Sequence, residues 1–164
     1  MIHLEKTKHT SITGSSNKLY VRLFNEQANL YEWFARQYGL QSKSLQMLLW
    51  MANYPIATGR YVTQSLLAEK TYSTKQVVNA TIKNWHKKGW IEFITTEHDK
   101  RYKHIRLTPQ GLQFAQPIID SLNTIELQTI ASLSTQEQDQ LTTLTQTYNA
   151  ALKQKIRDNY DSLR

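Results

Sequence analysis

Four polar side chains, Lys75, Gln76, Asn79 and Lys83, share a segment with the apolar residues Val78, Ile82 and Trp85. The apolar three recur at the period of a helix, so the polar four line its other face. Such a face has a definite chemistry. Gln and Asn can pair in bidentate fashion with adenine, and Lys can donate to guanine, in the major groove of a duplex. Ser73 and Thr74 just ahead can cap the helix, and one of them can also reach a phosphate. A second cluster, Asp99, Lys100, Arg101 and Lys103, follows about twenty residues later, with Arg106 beyond it. Between Lys70 and Gln110 nine Lys and Arg residues face three acids, so this quarter of the chain holds +6 of the formal net charge of +7. A basic segment of this kind is the electrostatic footprint of a nucleic-acid partner. Its plain alternative is a solvated basic face.

Other chemistries find no support in the residues. There is no cysteine, which excludes disulfides, thiolate metal sites, a cysteine nucleophile and a thiol switch. His3, His9, His86, His98 and His104 form no i, i+4 ligand pair, so no metal is expected. The motifs GxSxG, HExxH, GxGxxG and the phosphate-binding P-loop are missing, and five glycines leave little for phosphate-cradling loops. The chain reads as a non-enzyme without cofactor. Its longest unbroken apolar run, Met47–Ala52, is six residues. About 20 are needed to cross a bilayer. The first residues lack the apolar stretch of an export signal, so a cytoplasmic location is expected.

The elements that must position these side chains follow from periodicity. Residues 1–16 show little of it and read as a mobile arm. Leu19, Leu23, Leu30, Trp33, Phe34 and Tyr38 predict a helix over 17–38, stopped by Gly39. Ser42–Asn53 predicts a second helix ended by Pro55, with a loop over 56–61. Thr63 caps a short helix over Gln64–Lys70, and Ser73 or Thr74 caps a longer one running to Lys88 and Gly89. The period then changes to two. Trp90–Thr95 and Tyr102–Leu107 predict two strands of a hairpin with a charged tip at Glu97–Arg101. Thr108 and Pro109 open a long helix to about Leu133, which Pro117 would kink. Ser134 and Glu137 form a capping box before a last helix striped by Leu141, Leu144, Tyr148, Leu152 and Ile156.

Helix, turn, helix and hairpin make a winged helix-turn-helix, mainly α with a small β-wing, with the 73–88 helix in the recognition position. VTQSLLAEK (62–70), STKQVVNATIKNWHKKGWI (73–91) and DKRYKHIRLTPQG (99–111) resemble the MarR family of bacterial transcriptional regulators. Asp99, Arg101, Leu107, Thr108 and Gly111 fall at the spacing of that family's wing and following helix, and LSTQEQDQL (133–141) resembles the start of its final helix. The resemblance implies a homodimer. Helices at 17–38 and 109–164 would interlock around a DNA-binding domain at 42–108, with Leu19, Leu23, Leu141, Leu144, Tyr148, Leu152 and Ile156 in the dimer contact. It implies DNA contacts from Lys75, Gln76, Asn79 and Lys83. Arg101 would enter the minor groove, oriented by Asp99, with Lys100, Lys103 and Arg106 near phosphates. Arg60, ahead of the helix-turn-helix, can contact backbone. It further implies a small lipophilic or phenolic effector, for which Trp33, Tyr38 and Trp50 are the candidate contacts, and release of a repressor from its operator. Apolar stripes on both terminal helices fit a dimer independently, although one could fold back on the other within a chain. Two other readings keep the winged fold: an initiation or architectural DNA-binding protein that senses nothing, and a winged helix that binds protein.

Overall fold

The computed structural model describes residues 16–96 and 99–161, with side chains over 18–95 and 103–160. Six helices and three short strands follow in the order α1 (Ser16–Gln37), α2 (Ser42–Thr58), β1 (Val62–Thr63), α3 (Gln64–Thr71), α4 (Lys75–Lys87), β2 (Ile91–Thr96), β3 (Asp99–Leu107), α5 (Pro109–Ile130) and α6 (Thr135–Asp161). The expected arm, up to residue 15, lies outside the described residues. The chain divides into two compact units, and the division falls inside α5, between Ala115 and Gln116.

In the first unit the core gathers one face of each element. Leu45, Met47, Leu48 and Met51 of α2, Leu67 of α3, Val78, Ile82 and Trp85 of α4, and Val62, Ile91, Ile105 and Leu107 of the sheet are all buried. The stripe on α4 is thus the inward face that the spacing predicts. The sheet is antiparallel with strand order β1-β3-β2. It has three strands where the sequence predicts two. Val62 and Thr63 pair with Ile105 and His104, so two residues that show no period of their own become a strand through a distant partner.

Pro55 does not end α2. The helix runs on to Thr58 and closes at Gly59, whose φ of 68° is left-handed and whose N–H reaches the Pro55 carbonyl at 2.9 Å. A proline removes one N–H, here the donor to the Met51 carbonyl, but its own φ suits a helix. One lost bond does not outweigh a last turn that the Gly59 cap completes. Pro117 likewise lies inside an uninterrupted α5.

The start of α2 is capped from outside. Its N-cap residue Gln41 makes no side-chain bond. Instead Glu32 of α1 accepts from the Ser42 backbone N–H at 2.7 Å and from the Ser42 hydroxyl at 2.6 Å, while Arg36 donates at 2.9 Å. Those bonds, Ser42's first and Arg36's last, hold the carboxylate at a pKa of about 2, against an ordinary 4.5. The depressed value means that its stabilising contribution is complete above about pH 4.5 and is lost as pH falls toward 2. The gap in melting temperature between wild type and Glu32→Gln should therefore close across that window. A gap that stays constant down to pH 2 would show that the carboxylate charge plays no part.

The second unit comprises the end of α5 and α6. The predicted capping box is formed. Ser134 donates from both its N–H and its hydroxyl to Glu137, at 2.8 Å each, and Glu137 N–H returns to the Ser134 hydroxyl oxygen at 3.4 Å. These bonds, the hydroxyl's first, lower the Glu137 pKa. Gln138 closes the junction by donating to the carbonyls of Ile130 and Leu133 at 3.1 and 2.9 Å. Those are carbonyls that the end of α5 leaves without helical partners.

Candidate nucleic-acid interface

The recognition-position helix α4 begins with Thr74 as its N-cap, whose hydroxyl accepts from Val77 N–H at 3.3 Å. Ser73 takes no cap. Its hydroxyl makes a hydrogen bond with the buried Thr71 hydroxyl at 2.8 Å, which pins the turn between α3 and α4. Lys75, Gln76, Asn79 and Lys83 are all exposed, as are Val77 and Ala80 among them. The buried Val78, Ile82 and Trp85 fix the rotation of the helix, so the four polar side chains project together. Val77 adds an apolar surface suited to a thymine methyl, a residue that sequence reasoning passed over.

On the wing, the backbones of Asp99, Lys100 and Arg101 open β3, with Asp99 paired to Thr96. Their side chains lie outside the described residues, as does His98. Lys103 is described. Its ammonium lies 5.8 Å from the Phe93 ring centroid, beside a groove that also touches Thr63, Gln64 and Ser65. Arg106 is engaged within the hairpin. It pairs across the strands with Glu92, donating to one carboxylate oxygen from Nε at 2.9 Å and Nη2 at 2.7 Å, and its guanidinium sits 5.8 Å from the Tyr61 ring. The Glu92 bond raises the pKa of Arg106 further. Arg60 is exposed in the loop after α2, its N–H tied to Thr58.

What sets the wing against the helix that follows is Gly111. A Cβ there would stand 1.9 Å from the Trp90 carbonyl oxygen. That carbonyl accepts from Thr108 N–H at 3.0 Å, and Thr108 in turn donates to the Gly89 carbonyl and accepts from Gly111 N–H. Trp90 stacks on Phe114 at 3.8 Å. The Leu-Thr-x-x-Gly spacing is therefore a packing device at the base of the hairpin.

The effector candidates are not gathered in one place. Trp33 is 66% exposed on α1, and Tyr38 packs beside Phe34 with ring centroids 5.2 Å apart. Trp50 lines a groove of about 530 Å³ along α2 with Tyr54, Asn53 and Ala57, and Lys70 of α3 lies 5.9 Å from its ring. Neither Trp33 nor Tyr38 lines that groove. The dimer candidates Leu19, Leu23, Leu141, Leu144, Leu152 and Ile156 are all exposed, and Tyr148 is partly buried. Among the described residues no three His, Asp or Glu side chains cluster as metal ligands, and no helix is long and apolar enough to cross a membrane.

Residues 38–101, which span the helix-turn-helix and most of the hairpin, match the MarR family. That segment, under half of the chain, is similar to the winged helix-turn-helix of the MarR family. Over 72 residues it is 33% identical to the transcriptional repressor MprA of Escherichia coli K12. That match covers 44% of this chain and 41% of the repressor, so less than half of the relative is spanned. The likeness of fold extends further. The structure of NMB1585, a MarR family regulator from Neisseria meningitidis, superposes with a TM-score of 0.69 at 24% identity, covering 87% of this chain and 96% of that one. A MepR–DNA complex of S. aureus gives 0.67 at 19% identity, covering 84% and 96%. At such identities the likeness is one of fold.

Proposed function

We propose that this chain is a MarR-type DNA-binding transcriptional regulator that acts as a homodimer, most simply a repressor, on a near-palindromic operator. The observation that carries the reading is the α4 face. Four exposed side chains able to read base edges stand on a helix whose rotation is fixed by three buried apolar ones, in the segment that matches the family. The likeness to the repressor MprA supports the same reading, and the fold is one that a MepR–DNA complex also shows. Lys75, Gln76, Asn79 and Lys83 would meet bases and nearby phosphates, and Arg101 would reach the minor groove, where a narrow A·T tract attracts a guanidinium. Ser73, Thr74, Arg60, Lys100 and Lys103 would hold the backbone, with Asp99 orienting Arg101.

Two substitutions separate base reading from charge. Asn79→Ala should relax base preference at one position of each half-site, at about 1–3 kcal/mol of discrimination. Arg101→Ala should lower affinity and reduce the slope of log affinity against log salt by about two, one for each half-site. Selection of duplexes by each variant and titration at several salt concentrations check both. An Asn79→Ala protein that weakens equally on every sequence contradicts base reading by α4.

The effector part of the proposal rests on the α2 groove. Its aromatic walls at Trp50 and Tyr54, with the Lys70 ammonium alongside, suit a flat lipophilic ligand with an acidic group such as a phenol. A ligand there would act by favouring one spacing of the two reading heads over another. Trp50→Phe should remove any ligand-induced change in tryptophan emission, and an undiminished signal would place the ligand elsewhere.

A further inference from the structure

We infer that Tyr72 is a contact to the DNA backbone, held outward at a cost in backbone strain; the inference rests on the DNA reading above. Tyr72 closes α3 with φ 48° and ψ 42°. It is the one non-glycine residue with positive φ among those described, where Gly39, Gly59 and Gly89 make the other left-handed turns. In that conformation a Cβ crowds the following carbonyl, and a bulky residue there is uncommon. The turn itself closes α3, with the Tyr72 N–H on the Ala68 and Glu69 carbonyls, but the side chain gives the fold nothing in return for the strain. The ring is 78% exposed, the most exposed of the described aromatics, and its hydroxyl has no partner among the described residues. A glycine would serve the turn better.

The position is nevertheless rigidly held. Thr71 before it is buried and its hydroxyl donates to the Leu67 carbonyl at 2.7 Å. Ser73 after it donates its N–H to the Ala68 carbonyl at 3.0 Å. Lys43 of α2 reaches across to the Thr71 carbonyl. Strain that persists because its surroundings over-determine it points to a use outside the fold. Two residues on, Thr74 caps α4, and Lys75 and Gln76 begin the exposed face. In a helix-turn-helix the turn ahead of the recognition helix runs beside the edge of the groove which that helix enters. A phenol there is a neutral donor to a phosphate oxygen, a contact that tyrosine commonly makes.

The test compares Tyr72→Gly, Tyr72→Phe and Lys75→Ala on the duplex that wild type selects. Tyr72→Gly should melt at or above the wild-type temperature and yet bind the two-half-site duplex about 100-fold more weakly, about tenfold for the hydrogen bond to a charged group lost at each half-site. Tyr72→Phe should show most of that loss. Neither should change the salt slope, because a neutral donor displaces no counterion, whereas Lys75→Ala should reduce it by about two, one for each half-site. Wild-type affinity in Tyr72→Phe or Tyr72→Gly overturns the inference while leaving the DNA reading intact. A Tyr72→Gly protein that melts well below wild type overturns the strain argument. A wild-type protein that binds no duplex removes the DNA reading and this contact with it.

Discussion

Gly111→Ala should destabilise the winged unit by about 3 kcal/mol or more, a large share of the 5–15 kcal/mol that holds an ordinary domain together. The sign is the informative part. In an ordinary helix interior alanine is favoured over glycine by about 1 kcal/mol, so the same substitution at an open site should stabilise. Here the added methyl would stand 1.9 Å from the Trp90 carbonyl oxygen, a backbone atom that cannot swing aside. To make room, the first turn of α5 would have to leave the hairpin. That would stretch the Thr108 bonds to Gly89 and Trp90 and part the Trp90–Phe114 stack. With a urea slope of about 2 kcal/mol per molar, the unfolding midpoint should fall by about 1.5 M. Gln113→Ala, at an exposed site on the same helix, serves as the control and should change it little. A Gly111→Ala protein as stable as wild type would mean that the wing and α5 are not packed as described.

A comparable loss, in binding and not in folding, should follow from charging the two apolar stripes. Leu23 is 54% exposed and Leu144 68%, so neither supports the fold of a single chain. The stripes they belong to nevertheless run the length of α1 and α6, and soluble monomers seldom leave such surface to water. Leu23→Glu together with Leu144→Glu should convert a species of twice the 19.2 kDa chain mass into one of chain mass, at unchanged melting behaviour of the winged unit. Affinity for a duplex with two half-sites should then fall about 100-fold or more, because the second half-site is no longer reached from a tethered head. Affinity for a single half-site should hold. Equilibrium sedimentation and titration on both duplexes check this, and a double variant that keeps wild-type mass would refute the assignment of these helices to the dimer.

The sequence was readable where structure is local. The Ser134–Glu137 box, the Thr63 and Thr74 caps and the α4 stripe depend on residues within a few positions of one another, and all formed as their spacing required. It was least readable where a distant partner decides. Val62 and Thr63 are too short to show a period and became a strand because β3 lies beside them. A local rule makes Pro55 a breaker, while the end of α2 is set by Gly59. Glu32 showed no sign of capping a helix that begins ten residues later. At the site, the α4 face could be read from composition and period. The pairing of Arg106 with Glu92 could not, because it needs the register of the hairpin. Tyr72 escaped for the opposite reason: left-handed turns are sought at glycine and asparagine, and tyrosine gives no such signal. Trp33, Tyr38 and Trp50 stand out by residue type along two helices, and type alone does not say which rings share a groove.

The central claim is that α4 reads sequence for a two-headed protein. Selection from a random pool of duplexes at physiological salt, followed by sequencing, tests it most directly. The account predicts enrichment of an inverted repeat whose half-sites lie about one helical turn, roughly 34 Å, apart, with loss of base preference in the Asn79→Ala protein. Retention of duplexes with no sequence enriched, or no retention at all, would contradict it.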